Sequence, residues 1–154
     1  MSYQTTVYDA FTGISPMEKN MLVSFLHEHC ENADSPASIR EAVEYALKTK
    51  PSFGGFILVV RQRHQILAAI VANRTGMEGY SATNIFVYTG FHPECRSNET
   101  LIHDAMQKAI GYADGDIAMH VEPSNPALKL YQKLGFSAQY LELRLNKKSK
   151  SIVA

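Results

Sequence analysis

The chain has 154 residues, 45% of them apolar and 19% charged, which suits one domain with a real core and is too short for two. Fifteen basic residues balance fifteen acidic ones, which argues against nucleic-acid or membrane-surface binding driven by bulk charge. No apolar run approaches the ~20 residues that cross a bilayer. Residues 1–10 lack the basic-then-apolar pattern of a signal peptide, and two cysteines are too few for a disulfide framework. Reduced thiols and a cytoplasmic location are therefore expected.

Residues 3–10 alternate loosely and predict a first strand. A helix follows, announced by Ser15 as N-cap, Pro16 at the first helical position and Glu18 completing a capping box. Met21, Leu22, Phe25 and Leu26 share one face of it. A second helix is predicted over 38–48, with Ile39, Val43, Ala46 and Leu47 on one face and Pro51 just beyond its end. Two near-continuous apolar runs then meet at Gln62-Arg63-His64, which reads as a hairpin inside a sheet covered on both faces. A glycine-punctuated loop leads to a strand over 83–91. Helical spacing returns over 99–110 with Leu101, Ile102, Ala105, Met106, Ala109 and Ile110 on one side. Residues 115–122 read as a strand. "SNPALKLYQKLGF" reads as a helix capped by Ser124 or Asn125, opened by Pro126 and stopped by Gly135. Residues 137–145 set Tyr140, Glu142 and Arg144 against Leu141, Leu143 and Leu145, the pattern of a closing strand.

This β-α-α-β-β-β-α-β-α-β order, with Asn125, Ala127, Leu130-Tyr131 and Gly135-Phe136, resembles the GNAT-type N-acetyltransferase superfamily over roughly residues 3–146. The resemblance implies a single α/β domain over residues 1–146, followed by a polar tail over 147–154. Its sheet would be mixed, twisted and mostly antiparallel, with six or seven strands and about four flanking helices. It also implies acetyl-CoA as co-substrate, with no metal. An amine of a small molecule or peptide would attack the thioester directly. The pantetheine arm would lie between the strands over 85–91 and 117–122 like an added strand. Tyr131 would protonate the departing thiolate; helical spacing alone would make it a core aromatic. The balanced charge and the lack of a long apolar run predict no nucleic-acid or membrane partner; a homodimer through the last strand is expected by analogy of fold.

In that family the strand before the third helix runs into a glycine-rich loop, whose backbone N–H groups hold the CoA pyrophosphate at a helix N-terminus. His92, Pro93 and Arg96 match the lead-in here, and Phe91 just before them joins the candidate cofactor set. The glycine positions hold Glu99 and Leu101, or Thr100 and Ile102 in a register shifted by one. Neither register contains glycine. Glu99 satisfies the positive helix end that would attract the pyrophosphate and repels that dianion. Arg96 adds positive charge, Ser97 and Thr100 add hydroxyl donors, and backbone N–H groups survive every substitution except proline. Ser97, Asn98, Glu99, Thr100 and Leu101, with Ser124, Asn125, Ala127 and Tyr131, complete the candidate cofactor set.

For the base, His120 and Glu122 lie on and just after the fifth strand; a packed histidine and a solvated carboxylate are their plain alternatives. Met77, Tyr80 and Asn84 lie in and after the loop before the fourth strand, a candidate wall of the acceptor site. Cys95 beside Arg96 is either a packed side chain or a thiol activated by the cation. His27, Cys30 and Glu31 would share a helical face but offer no fourth metal ligand. The alternative to an enzyme is a fold of this type that has lost catalysis and serves binding or regulation.

Overall fold

The structure, a computed structural model, describes residues 2–30, 34–77 and 79–147. Of the expected polar tail only Lys147 falls within them; Glu31 lies outside. The chain runs β1 (Gln4–Tyr8), α1 (Pro16–His29), α2 (Pro36–Leu47), β2 (Gly55–Gln62), β3 (Gln65–Arg74), β4 (Asn84–Phe91), a 3-10 turn (Pro93–Cys95), α3 (Glu99–Tyr112), β5 (Ile117–Met119) and α4 (Leu128–Lys133). Among the described residues no helix is long and apolar enough to cross a membrane, and no group of three or more His, Cys, Asp or Glu could hold a metal ion.

The five strands form one sheet in sequence order. β1 to β4 are antiparallel, and β5 joins β4 in parallel across α3. Strand alternation explains the near-continuous apolarity of β2 and β3. Phe56, Leu58 and Val60 face one core with Ala68, Ile70, Ala72 and the α3 residues Leu101, Ile102, Ala105 and Met106. Ile57 and Val59 face the other, with Leu22, Val23, Phe25 and Leu26 of α1 and Ile39, Val43 and Ala46 of α2. Helices therefore cover both faces. At Gly55 the hairpin backbones come so close that a Cβ would stand 1.9 Å from the Ala72 carbonyl oxygen.

The helix ends follow the sequence signals where those are local. Ser15 Oγ accepts from Glu18 N at 3.1 Å. α2 starts two residues before the expected 38, at Pro36, because Ser35 Oγ accepts from Ser38 N at 3.2 Å and caps it there. Val23 takes the buried place on α1 that the apolar spacing gave to Met21, which is exposed. Lys19 pairs with Glu44 to tie α1 to α2, and the Tyr45 hydroxyl donates to the Arg74 carbonyl at 2.6 Å to tie α2 to β3.

The C-terminal part departs from expectation in three ways. β5 is three residues long, not eight, because its ladder to β4 ends at Phe86↔Met119. α4 starts at Leu128 without a side-chain cap; Asn125 Oδ1 instead accepts from Ala127 N at 2.8 Å in the turn before it. Its far end is as expected: Gly135 has φ +111°, its N–H bonds Gln132 O, and Phe136 N–H bonds Tyr131 O, the paired bonds of a Schellman stop. Residues 137–147 contain no strand, so the sheet has five strands rather than six or seven. A strand needs a partner edge along its length, and β5 offers three residues.

Candidate acyl-transfer site

β4 and β5 are paired over Asn84↔Ile117, Ile85↔Ala118 and Phe86↔Met119, and beyond that register no pairing joins them. At the same point β4 carries an extra residue. Ala72 faces Phe86 and Val71 faces Tyr88, so Val87 is bulged out of the ladder with β3. The strands thus part where β4 changes its twist. No sequence signal marks Val87, because a bulge is a property of two strands in register.

Tyr131 lies beneath this parting. It is 1% exposed and shares a core cluster with Phe86 and Phe91 of β4, Met119 of β5 and Val121 just after it. The Schellman stop fixes its carbonyl, and its ring packs edge-on against Phe136 at 6.4 Å. Its ring therefore sits in the apolar core next to the point where the two strands stop pairing.

β4 leads straight into the 3-10 turn and α3. Phe91 is buried in the core and fixes the strand end, and His92 N–H donates to the Leu67 carbonyl. The His92 ring caps the turn: Nδ1 accepts from Glu94 N at 3.1 Å, and Nε2 lies 3.0 Å from the Gln65 side-chain amide. Cys95 is buried in the core, and burial raises its thiol above the ordinary range, followed by the nearby Glu94 carboxylate. That environment suits a packed side chain and not an activated thiolate. Arg96 and Ser97 are exposed beside the helix start.

The two glycine positions differ in character. Glu99 is the first residue of α3 and is exposed, so its carboxylate stands at the positive helix end. Leu101 is buried against Ala105 and Met106, so its side chain turns away from any phosphate. Its N–H already donates to Asn98 Oδ1 at 3.1 Å, the cap of α3. Thr100 is exposed on the same turn. A pyrophosphate here would meet the N–H groups of the first turn, the Arg96 guanidinium and two hydroxyls. It would also meet one carboxylate and an internal cap that competes for a donor. The residues fit the group in part.

A contact that the sequence did not signal lies on the free edge of β4. Gly90 pairs with Ala69 on the β3 side, and the backbone of Cys30 bridges it on the other. A Cβ at Gly90 would stand 3.1 Å from Leu26 Cδ2 and 3.4 Å from Cys30 N, so the end of α1 lies tight against the strand. His29 continues this contact, its ring tilted against those of His92 at 5.4 Å and Phe25 at 5.0 Å. Burial chiefly lowers the His29 pKa; the Glu28 carboxylate opposes that, and His92 and Arg96 reinforce it. α1 ends at His29, so Cys30 does not continue a helical face with His27.

His120 follows β5 directly and is exposed, with Nε2 3.0 Å from Glu142 Oε1. Glu122 is exposed too, and its carbonyl accepts from Asn125 N. Ser124 is exposed in the turn that carries Asn125 and Ala127 into α4. Of the acceptor-wall residues, Met77 and Tyr80 are exposed. Asn84 is buried, and its amide donates to the Asp114 carbonyl at 2.8 Å and the Asp116 carbonyl at 3.4 Å. It holds the start of β4 to the loop before β5. Tyr88, not singled out by the sequence, donates its hydroxyl to Asp34 at 2.5 Å, and burial chiefly raises its pKa.

Neither a family model nor a curated protein sequence matches the chain. Solved structures do. An aminoglycoside 6'-N-acetyltransferase from Acinetobacter haemolyticus is similar at 17% identity and TM-score 0.59, over 97% of this chain and 100% of that one. An aminoglycoside N-acetyltransferase solved in complex with CoA is similar at 11% identity and TM-score 0.63, over 97% and 98%. A protein described as a transcriptional regulator from Bacillus halodurans is similar at 17% identity and TM-score 0.59, over 93% and 99%. The chain has the fold of the GNAT-type N-acetyltransferases.

Proposed function

We propose that this protein is an acetyl-CoA-dependent N-acetyltransferase acting on a primary amine, of a small molecule in the first instance and of a peptide as the broader class. The observation that carries the reading is the parting of β4 and β5 after Phe86↔Met119, with Tyr131 beneath it and the start of α3 at its end. A pantetheine arm entering between the strands would add to the β4 edge as an extra strand. The first turn of α3, Arg96, Ser97 and Thr100 would hold the phosphates, and the turn at Ser124, Asn125 and Ala127 would border the arm. The amine nitrogen attacks the thioester carbonyl carbon, the C–S bond breaks, and Tyr131 gives its proton to the sulfur. The amine proton passes to His120 or Glu122. Tyr80 and Met77 are proposed to border the amine site.

A second reading has specific support: a binding or regulatory module that no longer catalyses. Glu99 stands at the phosphate end of α3, Asn98 already occupies the Leu101 N–H, and Cys30 is bridged to the β4 edge that pantetheine would need. Isothermal titration with acetyl-CoA, and separately with CoA, separates the two. Binding in the micromolar range, with acetylation of at least one amine in a panel of small amines and peptides, is expected. An absence of binding at millimolar ligand removes the transferase reading and leaves the second.

A further inference from the structure

Tyr88 is buried on β4 and takes no part in the transfer chemistry above, yet its hydroxyl has a fixed partner. It lies just past Phe86, the last residue of β4 that pairs with β5, with the bulged Val87 between them. Phe86 packs into the core cluster that holds Tyr131, and Tyr88 into the cluster on the other face, with α1 and α2. The two tyrosines therefore meet the parting of β4 and β5 from opposite faces of the sheet.

The Tyr88 hydroxyl donates to Oδ2 of Asp34 at 2.5 Å, just before the start of α2. The backbone of Asp34 is held as well, its carbonyl oxygen lying 3.2 Å from His27 Nδ1. Burial and the Asp34 carboxylate both raise the Tyr88 pKa, so the phenol keeps its proton and stays the donor. Asp34 itself is exposed, and its Oδ1 accepts from no described residue. Among the described residues no lysine or arginine pairs with it, whereas Glu44 holds Lys19 and Glu142 holds Arg144. A carboxylate fixed through one oxygen and open at the other is ready to accept from a cationic N–H.

A primary amine is mostly an ammonium at neutral pH and has no lone pair with which to attack. We propose that Asp34 receives the ammonium of the acceptor at Oδ1 and removes its first proton, and that Tyr88 positions Asp34 to do so. This rests on the acetyl-transfer reading above. The ammonium N–H bond breaks toward Asp34, and the freed lone pair attacks the thioester carbonyl carbon. The C–S bond breaks, and Tyr131 protonates the sulfur from the opposite face. The proton still on the attacking nitrogen is the one that passes to His120 or Glu122. Asp34, being exposed, returns its own proton to water.

Two amines of similar size separate this role from a structural one. Ethylamine is an ammonium at neutral pH, whereas the fluorines of trifluoroethylamine leave it largely the free amine. Each is supplied with acetyl-CoA at neutral pH, and release of CoA is followed. Asp34→Asn keeps the shape of the side chain and should lower kcat/KM for ethylamine by about 100-fold, with trifluoroethylamine changed by less than about threefold. Tyr88→Phe leaves the carboxylate in place without its holder and should show the same selectivity at about tenfold. Isothermal titration with acetyl-CoA should give one affinity for the wild type and both variants. Equal losses for the two amines would make the pair a structural tie and overturn the proposal. So would unchanged rates in Asp34→Asn, or a wild type that binds acetyl-CoA and acetylates neither amine. A wild type that does not bind acetyl-CoA removes the transfer reading itself, and this inference with it.

Discussion

Replacing Glu99 with glutamine removes a charge at the first position of α3 and keeps the size and helix preference of the side chain. The carboxylate is exposed there, and a pyrophosphate held by the same turn would lie on the order of 7 Å from it. One unit charge against two, in water at that distance, amounts to ~1.2 kcal/mol before screening. At about 10 mM salt, with a Debye length near 30 Å, roughly 0.9 kcal/mol survives; at about 150 mM roughly 0.5 kcal/mol does. Glu99→Gln should therefore tighten CoA binding about fivefold at low salt and about twofold at physiological salt, read by isothermal titration. The same change withdraws a favourable helix-dipole interaction of ~0.3–1 kcal/mol, so the melting temperature should fall by about 1–3 °C. Opposite signs for binding and stability are the mark of a helix end shared between its own carboxylate and a ligand anion. Unchanged CoA affinity at low salt, alongside the lowered melting temperature, would place the pyrophosphate somewhere other than this helix end.

Tyr131→Phe should lower turnover by about 10²–10⁴ with acetyl-CoA affinity nearly unchanged, because it removes the proton and keeps the packed ring; full turnover in steady-state kinetics would end its role as the acid. Asn84→Ala strips the buried carbonyls of Asp114 and Asp116 of their side-chain donor and should cost ~1–3 kcal/mol in urea unfolding. The KM for the amine should stay constant in that variant, and a raised KM with unchanged stability would return Asn84 to the acceptor wall. His29 has a folded pKa below its ordinary value, so its stabilising contribution is fully present above about pH 6.5. That contribution is lost as pH falls through the lowered value, since the unfolded chain takes up the proton first. Urea midpoints between about pH 5 and 7.5 should fall toward acid, and His29→Gln should flatten that slope; an equal slope in the variant would assign it to other groups.

The sequence by itself determined what depends on near neighbours. Ser15 caps α1, Gly135 stops α4, and the near-continuous apolar runs of β2 and β3 demand cover on both faces. Each of these is decided within a few residues, by a side-chain oxygen reaching a backbone N–H or by the period of helix or strand. Tyr131 is different: helical spacing alone makes it a core aromatic, and only the family resemblance singled it out as a candidate. The tertiary structure decided what depends on register between distant segments. Val87 bulges only because β3 and β4 are paired as they are. The apolar spacing of residues 99–110 already puts Leu101 on the buried side of α3, and the structure adds which strands, β2 and β3, that side meets. Cys30 reaches Gly90 because α1 ends over the β4 edge. The alternation of residues 137–145 is that of a strand, yet strand hydrogen bonds are made with another segment. β5 extends for only three residues, so a pattern that specifies a face could not specify a partner.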